Sequence, residues 1–599
     1  MGKKGITKTE LVWPGKYQEG GTPSATSRAQ LSLSLRECFT RNRKREASQQ
    51  QWHNKLIWGD NLLVMHTLLE EFAGKVDLIY IDPPFATGED FIFSSPIGDG
   101  ESEESQLQPV IQEKAYHDTW GRGLSAYLSM LWQRLPLLRA LLSDTGSIYV
   151  HLGWEVSGYV QLLMNEIFGE NCRQNIIIYN YGKFHHSKER WKRDFDVILF
   201  YSKNPTTWTF NHDAVLDEYR ERTELRFDKV DEAGRRYKIV KGRRVYHQGG
   251  VTPSSVWRLS HLQMNAVESL GYPTQKTEGL LTKIIAASSH PGDLIADFFC
   301  GSGTTLAVAE NLGRRWIGCD VGRFAIHTTR KRLLSLADCA SFDVLDLGED
   351  ERQVWLSTTF GAGEKICSGR ELSAYRAFVL QLYGAQPIGG LAYLHGKKSG
   401  AMVRIGTVGA PVTRVEIEEA IGECLKLKQS KLHVLGWEWE VSVDTLRDPE
   451  GETRGVKIHF IQIPREVMER QAREKGEVQF LPLASLMVEV EIQRDDSHAI
   501  PLAKVALKDF SIPQGTLFSR RFRAQIKRWS DYIDYWAVDW DFQDDTFTPR
   551  WVTYRTRKDR TLALTSVPHR YDRAGTYRVL VKVVDIFGSE TSREIKVNV

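Results

Sequence analysis

Two stretches of this chain bring reactive residue types together at close spacing. The first is Asp82-Pro83-Pro84-Phe85, directly after the run Val76 to Ile81, apolar except for Asp77. Two prolines remove two backbone donors and stiffen the turn, so the Asp82 carboxylate and the Pro83 carbonyl form a fixed pair of acceptors. Such a pair suits an amino group. The lone pair of an exocyclic base amine is delocalised into its ring, and it attacks poorly until acceptors hold both hydrogens and favour a tetrahedral nitrogen. An aromatic ring at Phe85 suits stacking on a base that has left its duplex, where the amine is otherwise paired and shielded. The plain alternative is a turn that merely ends a strand.

The second stretch is Asp297-Phe298-Phe299-Cys300-Gly301-Ser302-Gly303-Thr304. Glycines 301 and 303 let backbone amides approach a ligand where a helix begins. This is neither a dinucleotide fingerprint nor a phosphate-binding loop, because Leu306 stands where a third glycine would and no lysine follows. Asp320 ends the next apolar run and is placed to accept hydrogen bonds from ribose hydroxyls. Together these residues suit an adenosyl cofactor without pyrophosphate.

Positioning them requires alternating strands and helices. The spacing predicts strands at 56–58, 76–81, 147–152, 294–298 and 316–319, and helices at 62–72, 127–142, 156–168, 277–289 and 304–312. Two further strands, 175–181 and 196–201, read as a long hairpin at a sheet edge. The fold class is therefore α/β, a doubly wound sheet in a domain at 51–340. Residues 1–50 read as a flexible arm, 341–505 as an α/β accessory region with a Thr413/Glu416 capping box, and 506–599 as an immunoglobulin-like all-β sandwich. Within 203–262 the pattern weakens, and 233–259 holds seven Lys or Arg and no Asp or Glu, which marks a target-reading insertion.

A net charge of +3 across 599 residues does not itself imply a nucleic-acid partner. Local runs do more. Arg41, Arg43, Lys44 and Arg45 form one, Lys188, Arg190, Lys192 and Arg193 a second, and Arg235, Arg236, Lys238, Lys241, Arg243 and Arg244 a third. Each, taken singly, also reads as a solvated face. Seven cysteines without a CxxC pair argue against a disulfide framework and a structural zinc site. No metal is expected. The absence of a signal peptide or an apolar run of membrane length implies a cytoplasmic protein.

Over residues 56 to 335 the combination resembles the β-class N6-adenine DNA methyltransferases, including the modification subunits of type III restriction systems. In that class the catalytic tetrapeptide precedes the cofactor glycines, as DPPF precedes FFCGSG here, with Gly59-Asp60-Asn61 ahead of both. His117-Asp118-Thr119-Trp120, Gly146-Ser147-Ile148-Tyr149-Val150-His151, Tyr272-Pro273-Thr274-Gln275-Lys276 and Arg315-Trp316-Ile317-Gly318 are similar to its connecting motifs. The resemblance implies S-adenosylmethionine as cofactor and double-stranded DNA with a flipped adenine as substrate. It implies that Asp297, Phe299, Gly301, Ser302, Gly303 and Thr304 cradle the cofactor, Asp320 its ribose, Asp60 its adenine, and Lys276 with Thr277 its methionine end. A helix starting near Thr277 would offer amides and a positive dipole end to a carboxylate. Asp60 reads equally as a helix cap, and Lys276 alone as a solvated side chain. Phe85 stands where the family usually has Tyr or Trp, and Phe298 where it has Pro.

Competing readings share the cofactor. N4-cytosine enzymes resemble a pattern with serine in place of Asp82, and C5-cytosine chemistry needs a cysteine usually preceded by proline, which none here is. A different reading makes the chain a DNA-binding modification subunit that mainly recruits a nuclease, as a homodimer or with a restriction subunit. Arg520, Arg521, Arg523, Lys527 and Arg528, interleaved with aromatics, would extend a DNA path or form a solvated linker.

Overall fold

The computed structural model describes residues 10–17, 31–40, 52–84, 90–96, 110–117, 123–182, 189, 191–219, 223, 225–247, 249–259, 262, 266, 268–361, 369–440, 443, 452–453, 455–469, 472–473, 476, 478–493, 501–512, 525–543, 546–556 and 559–599. At its centre is a 10-stranded mixed sheet. In spatial order its strands are Ser34–Phe39, Phe342–Asp346, Asn54–Trp58, Arg315–Asp320, Leu294–Asp297, Val76–Ile81, Leu142–Gly153, Phe195–Ser202, Arg173–Asn180 and Val256–Arg258. From Phe342–Asp346 to Leu142–Gly153 all neighbours run parallel.

Parallel strands are buried on both faces, and alternate residues therefore enter two cores. Ile57, Ile79, Ile81, Ile148 and Val150 pack under helices Asn61–Phe72, Leu124–Leu141 and Trp154–Phe168. Leu56, Leu78, Tyr80 and Tyr149 face the other way, against Glu278–Ser288, Thr304–Asn311 and Arg323–Leu334. Helices on both faces make the sheet doubly wound, as its apolar runs imply.

Two expectations need correction. Strands Arg173–Asn180 and Phe195–Ser202 do pair antiparallel, but Val256–Arg258 adds outside them, so the hairpin is not the edge. Only three residues of a polar insertion make that strand, too few for an apolar pattern to register. The first fifty residues are not simply an arm. Ser34–Phe39 pairs with Phe342–Asp346, and the buried Lys16 ammonium reaches Glu10 at 2.7 Å and Glu166 at 2.9 Å while lying 4.7 Å from the Trp132 ring. A cation packed between acids and indoles has the composition of a loop and the burial of a core.

Beyond the central sheet, a 7-stranded sheet spans Gln386–Pro387 to Leu481–Pro482. Its helix Arg414–Lys426 starts with the expected Thr413/Glu416 capping box. Two further sheets follow, and Val505, Leu507, Trp536, Val538, Val579 and Val581 fill the space between them. Strand Ser485–Gln493 already pairs with Leu502–Ser511, so this all-β unit takes in residues ahead of 506. Among the described residues no helix is long and apolar enough to cross a membrane.

Candidate active site

Four adjacent strands, Asn54–Trp58, Arg315–Asp320, Leu294–Asp297 and Val76–Ile81, end at one edge of the sheet. Their carboxyl ends carry Asp60, Asp320, Asp297 and Asp82, which all line one cleft of 1690 Å³. Crevices beyond the carboxyl ends of parallel strands are where such sheets bind ligands.

Asp82 opens this crevice. Its Oδ2 forms an ion pair with the Lys276 ammonium. Its Oδ1 is buried and has no hydrogen-bond partner among the described residues. Pro83 and Pro84 continue the wall, and Phe85 lies outside the described residues. Behind the corner, Tyr80 Oη lies 2.8 Å from His151 Nδ1, whose ring reaches Asp196 through Nε2 at 3.1 Å. That chain ties the end of strand Val76–Ile81 to its neighbours.

The glycine loop is held by its own acids. Asp297 Oδ1 accepts from the Phe299 amide at 3.0 Å, and Oδ2 from the Thr305 hydroxyl at 2.5 Å. Burial nevertheless pushes its carboxyl up to about 7. Asp320 accepts from the Gly301 amide at 2.9 Å and the Gly322 amide at 2.8 Å; burial raises its pKa and these amides oppose the rise. Gly301 and Gly303 take φ of 50° and 71°. A Cβ on Gly303 would stand 2.6 Å from Thr329, whose hydroxyl donates to the Gly301 carbonyl at 2.9 Å. Phe299, Gly301, Ser302 and Thr304 line the cleft, whereas Gly303 packs against Thr329 and is not part of the lining.

Asp60 caps helix Asn61–Phe72, accepting from the Leu62 amide at 2.8 Å and from Arg134 at 2.8 Å. The helix-cap alternative is thus realised beside the cleft. Thr277 caps Glu278–Ser288 by accepting from the Leu280 amide at 3.4 Å. Lys276 is not a solvated side chain, since Asp82 engages it across 194 residues of sequence.

A family described as DNA methylase matches residues 76–331. The type II methyltransferase M.EcaI of Enterobacter cloacae is 32% identical over 335 residues, covering 47% of this chain and 69% of M.EcaI. The chain belongs to the DNA methylase family. The DNA adenine methyltransferase YhdJ of Escherichia coli K12 is 29% identical, over 46% of this chain and 82% of YhdJ. The Mod subunit of the type III restriction-modification enzyme StyLTI, from Salmonella typhimurium, is 25% identical over 51% and 57% of the two chains.

In this DNA methylase the basic residues singled out in the sequence fall in two places. Lys192 and Arg193 precede strand Phe195–Ser202, whose register with Leu142–Gly153 puts them at the sheet edge that carries Asp82. Arg193 lies 4.5 Å over the Trp154 ring. Lys188 and Arg190 lie outside the described residues, as do Arg41, Arg43, Lys44, Arg45, Arg520, Arg521 and Arg523. The third run builds a three-stranded sheet of Lys229–Val230, Arg236–Val240 and Arg243–Tyr246, with Lys241 at its tip in the left-handed region. Arg235 stacks over Tyr246 at 4.5 Å and Arg244 over Tyr237 at 5.1 Å. Arg236 donates to the Phe227 carbonyl at 3.1 Å. Asp231, just ahead of the acid-free window, pairs with Arg235 at 2.8 Å.

Three functional neighbours escape sequence reasoning. Arg134 grips Asp60 and, at 2.5 Å, Asn61, whose amide holds the Phe298 carbonyl at 2.7 Å. Arg332 joins Thr304 at 2.9 Å to Glu278 at 2.6 Å, and Thr329 braces the loop from the same helix. Each is one polar residue in a helix, with no local pattern to mark it.

Proposed function

We propose that the chain methylates the N6 amine of a flipped-out adenine in double-stranded DNA at a specific site, with S-adenosylmethionine as donor. The observation that carries this is the buried Asp82 Oδ1, an acceptor without a partner, beside a proline-stiffened turn. The cleft also fits the donor. Gly301 lines the cleft without a side chain to cover the loop backbone, Asp320 stands at the next strand end, and an aromatic wall is available from Phe299. When bound, S-adenosylmethionine supplies an electrophilic sulfonium methyl.

Asp82 Oδ1 and the Pro83 carbonyl each accept one hydrogen of the amine, which turns its lone pair out of the ring for in-line attack. Lys276 fixes the other carboxylate oxygen, so the acceptor does not rotate away. Phe85 stacks on the base, and the surplus proton leaves through Asp82 or water. Asp297, with both oxygens engaged inside the loop, braces the glycines. Asp60, Lys276 and Thr277 flank the adenine and methionine ends of the donor. Adenine is favoured over cytosine N4 by aspartate in place of serine at position 82, and YhdJ carries adenine in its name.

The basic sheet and Lys192–Arg193 contact DNA, with the sheet as target reader. A restriction-modification or related defence system in the cytoplasm suits the type II and type III relatives, with a homodimer or a restriction subunit as partner. The two packed sheets at the end of the chain are read as an immunoglobulin-like module. Asp82→Asn tests the core claim. It should retain S-adenosylmethionine binding by calorimetry while N6-methyladenine disappears from enzymatically hydrolysed DNA; parental methylation by the variant, or N4-methylcytosine as the parent's product, refutes it.

A further inference from the structure

The family match ends at residue 331, yet two side chains well beyond it enter the same cleft. Helix Gly348–Phe360 starts directly after the parallel strand Phe342–Asp346, and so at the carboxyl edge of the sheet. Glu351, in its first turn, accepts from the Asp60 amide through Oε1 at 3.1 Å. Arg465, opening the short turn Arg465–Met468 of the next α/β unit, grips both Glu351 oxygens, one through Nη2 and the other through Nε at 3.3 Å. Its Nη1 reaches Glu469 at 3.1 Å.

These groups are withdrawn from bulk water. The side chains of Arg465 and Glu351 are 16% and 11% exposed, and both line the cleft with Phe299 and Asp320. A two-point guanidinium fork fixes orientation as well as distance. A buried ion network contributes little net stability compared with an apolar wall, which leaves orientation as its use. The element it orients is the Gly59-Asp60-Asn61 corner, clamped from outside by Glu351 and from inside by Arg134. The adenosyl end of a cofactor presents an amine and two ribose hydroxyls, all donors, and the acid-rich wall of Asp60, Glu351 and Glu469 is their complement.

We infer that Glu351 and Arg465 are positioning residues for the cofactor, so that the adenosyl end of the cleft is completed by the region that follows the methyltransferase core. This rests on the reading that the cleft takes S-adenosylmethionine. The accessory region is then part of the cofactor site and not only a docking module.

The test uses the full chain, with Arg465→Ala and Arg465→Lys measured by calorimetric titration of S-adenosylmethionine, by steady-state methylation and by thermal unfolding. Arg465→Ala should raise both Kd and KM for S-adenosylmethionine about ten-fold, as expected when a charged hydrogen-bonded group is lost. KM for DNA and kcat should stay near parental values while the melting temperature falls, because Glu351 and Glu469 lose their shared cation, and Arg465→Lys, which keeps charge but not the fork, should fall between. Parental cofactor affinity in both variants overturns the inference, and so does a joint fall of kcat, cofactor affinity and melting temperature, which marks a purely structural clamp. If Arg465→Ala does not fold, Arg465→Lys at parental affinity also overturns it. Failure of the parent to bind S-adenosylmethionine sinks the functional reading instead.

Discussion

Replacing Gly303 by alanine places one methyl group at the tightest point of the proposed cofactor loop. Gly303 has φ of +71°, and its added Cβ would lie 2.6 Å from Thr329 Cγ2 and 2.7 Å from Thr329 Oγ1. A left-handed conformation costs a residue with a Cβ about 1–2 kcal/mol. Overfilling a packed site costs about 1–3 kcal/mol more. Thr329 is β-branched and helical, so it has few rotamers in which to retreat, and its hydroxyl would have to release the Gly301 carbonyl. The loop must therefore move, and the combined cost of about 2–5 kcal/mol is divided between folding and ligand binding. At the lower bound, carried wholly by binding, affinity for S-adenosylmethionine falls about thirty-fold. Calorimetric titration alongside guanidinium unfolding separates the two destinations of that energy. Adding Thr329→Ala to Gly303→Ala should recover part of the loss by removing the opposing atoms. A Gly303→Ala protein with parental affinity and parental stability refutes the loop geometry and the reasoning built on it.

Three further outcomes are expected. Burial holds the Asp297 carboxyl at about 7 against an ordinary 3.8, so the folded state binds its proton more tightly than the unfolded state between those values. Its contribution to stability is full below about pH 4 and is lost as pH rises towards about 7, with a slope of at most about 1.4 kcal/mol per pH unit. Parent minus Asp297→Asn stability, from denaturant unfolding, should shrink over that window and flatten above it; a difference independent of pH is the refuting result. Glu37 accepts from Arg330 and from Lys582, each at 2.7 Å, and is 2% exposed. Glu37→Gln should cost about 3–5 kcal/mol, since two buried cations are left with Glu590 as their acid; a loss below about 1 kcal/mol in urea unfolding contradicts it. Arg243→Gln should lower the salt slope of DNA binding by about 0.9, and Arg235→Gln by less, because Asp231 already pairs with Arg235. Equal slopes for the two variants and the parent would take the DNA path elsewhere.

How much of this was legible depended on whether a signal was local. The run Val76–Ile81 has the bounds expected of it, because its five buried residues leave an apolar stretch broken only by Asp77 and ended by Asp82 and Pro83. Helix Glu278–Ser288 starts at Thr277 for an equally local reason, a hydroxyl cap. The partnership of Lys276 with Asp82 was not legible, since nothing near either residue names the other. Arg332 sits thirty residues from Ser302 in sequence, and only the fold brings its guanidinium to Thr304. The buried Lys16 had the opposite problem, because its neighbours look like a solvated arm and its burial depends on Trp132 and Glu166 from two separate helices.

The four acids along the sheet edge show why position alone does not assign a role. All end adjacent strands or begin the turns after them, and all line one cleft. Their surroundings separate them. Asp297 and Asp320 each spend both oxygens on donors of the loop and its neighbouring turn. Asp60 turns an oxygen to its own helix and to Arg134. A carboxylate so engaged is a brace, and its removal should loosen the site before it alters chemistry. Asp82 alone of the four combines one oxygen fixed by a cation with one buried oxygen that has no partner among the described residues. Leaving a buried acceptor unsatisfied costs about 1–3 kcal/mol, a penalty that the proposed amine substrate would relieve on arrival. In the proposed mechanism the same energy favours the geometry in which the amine's lone pair points at the donor.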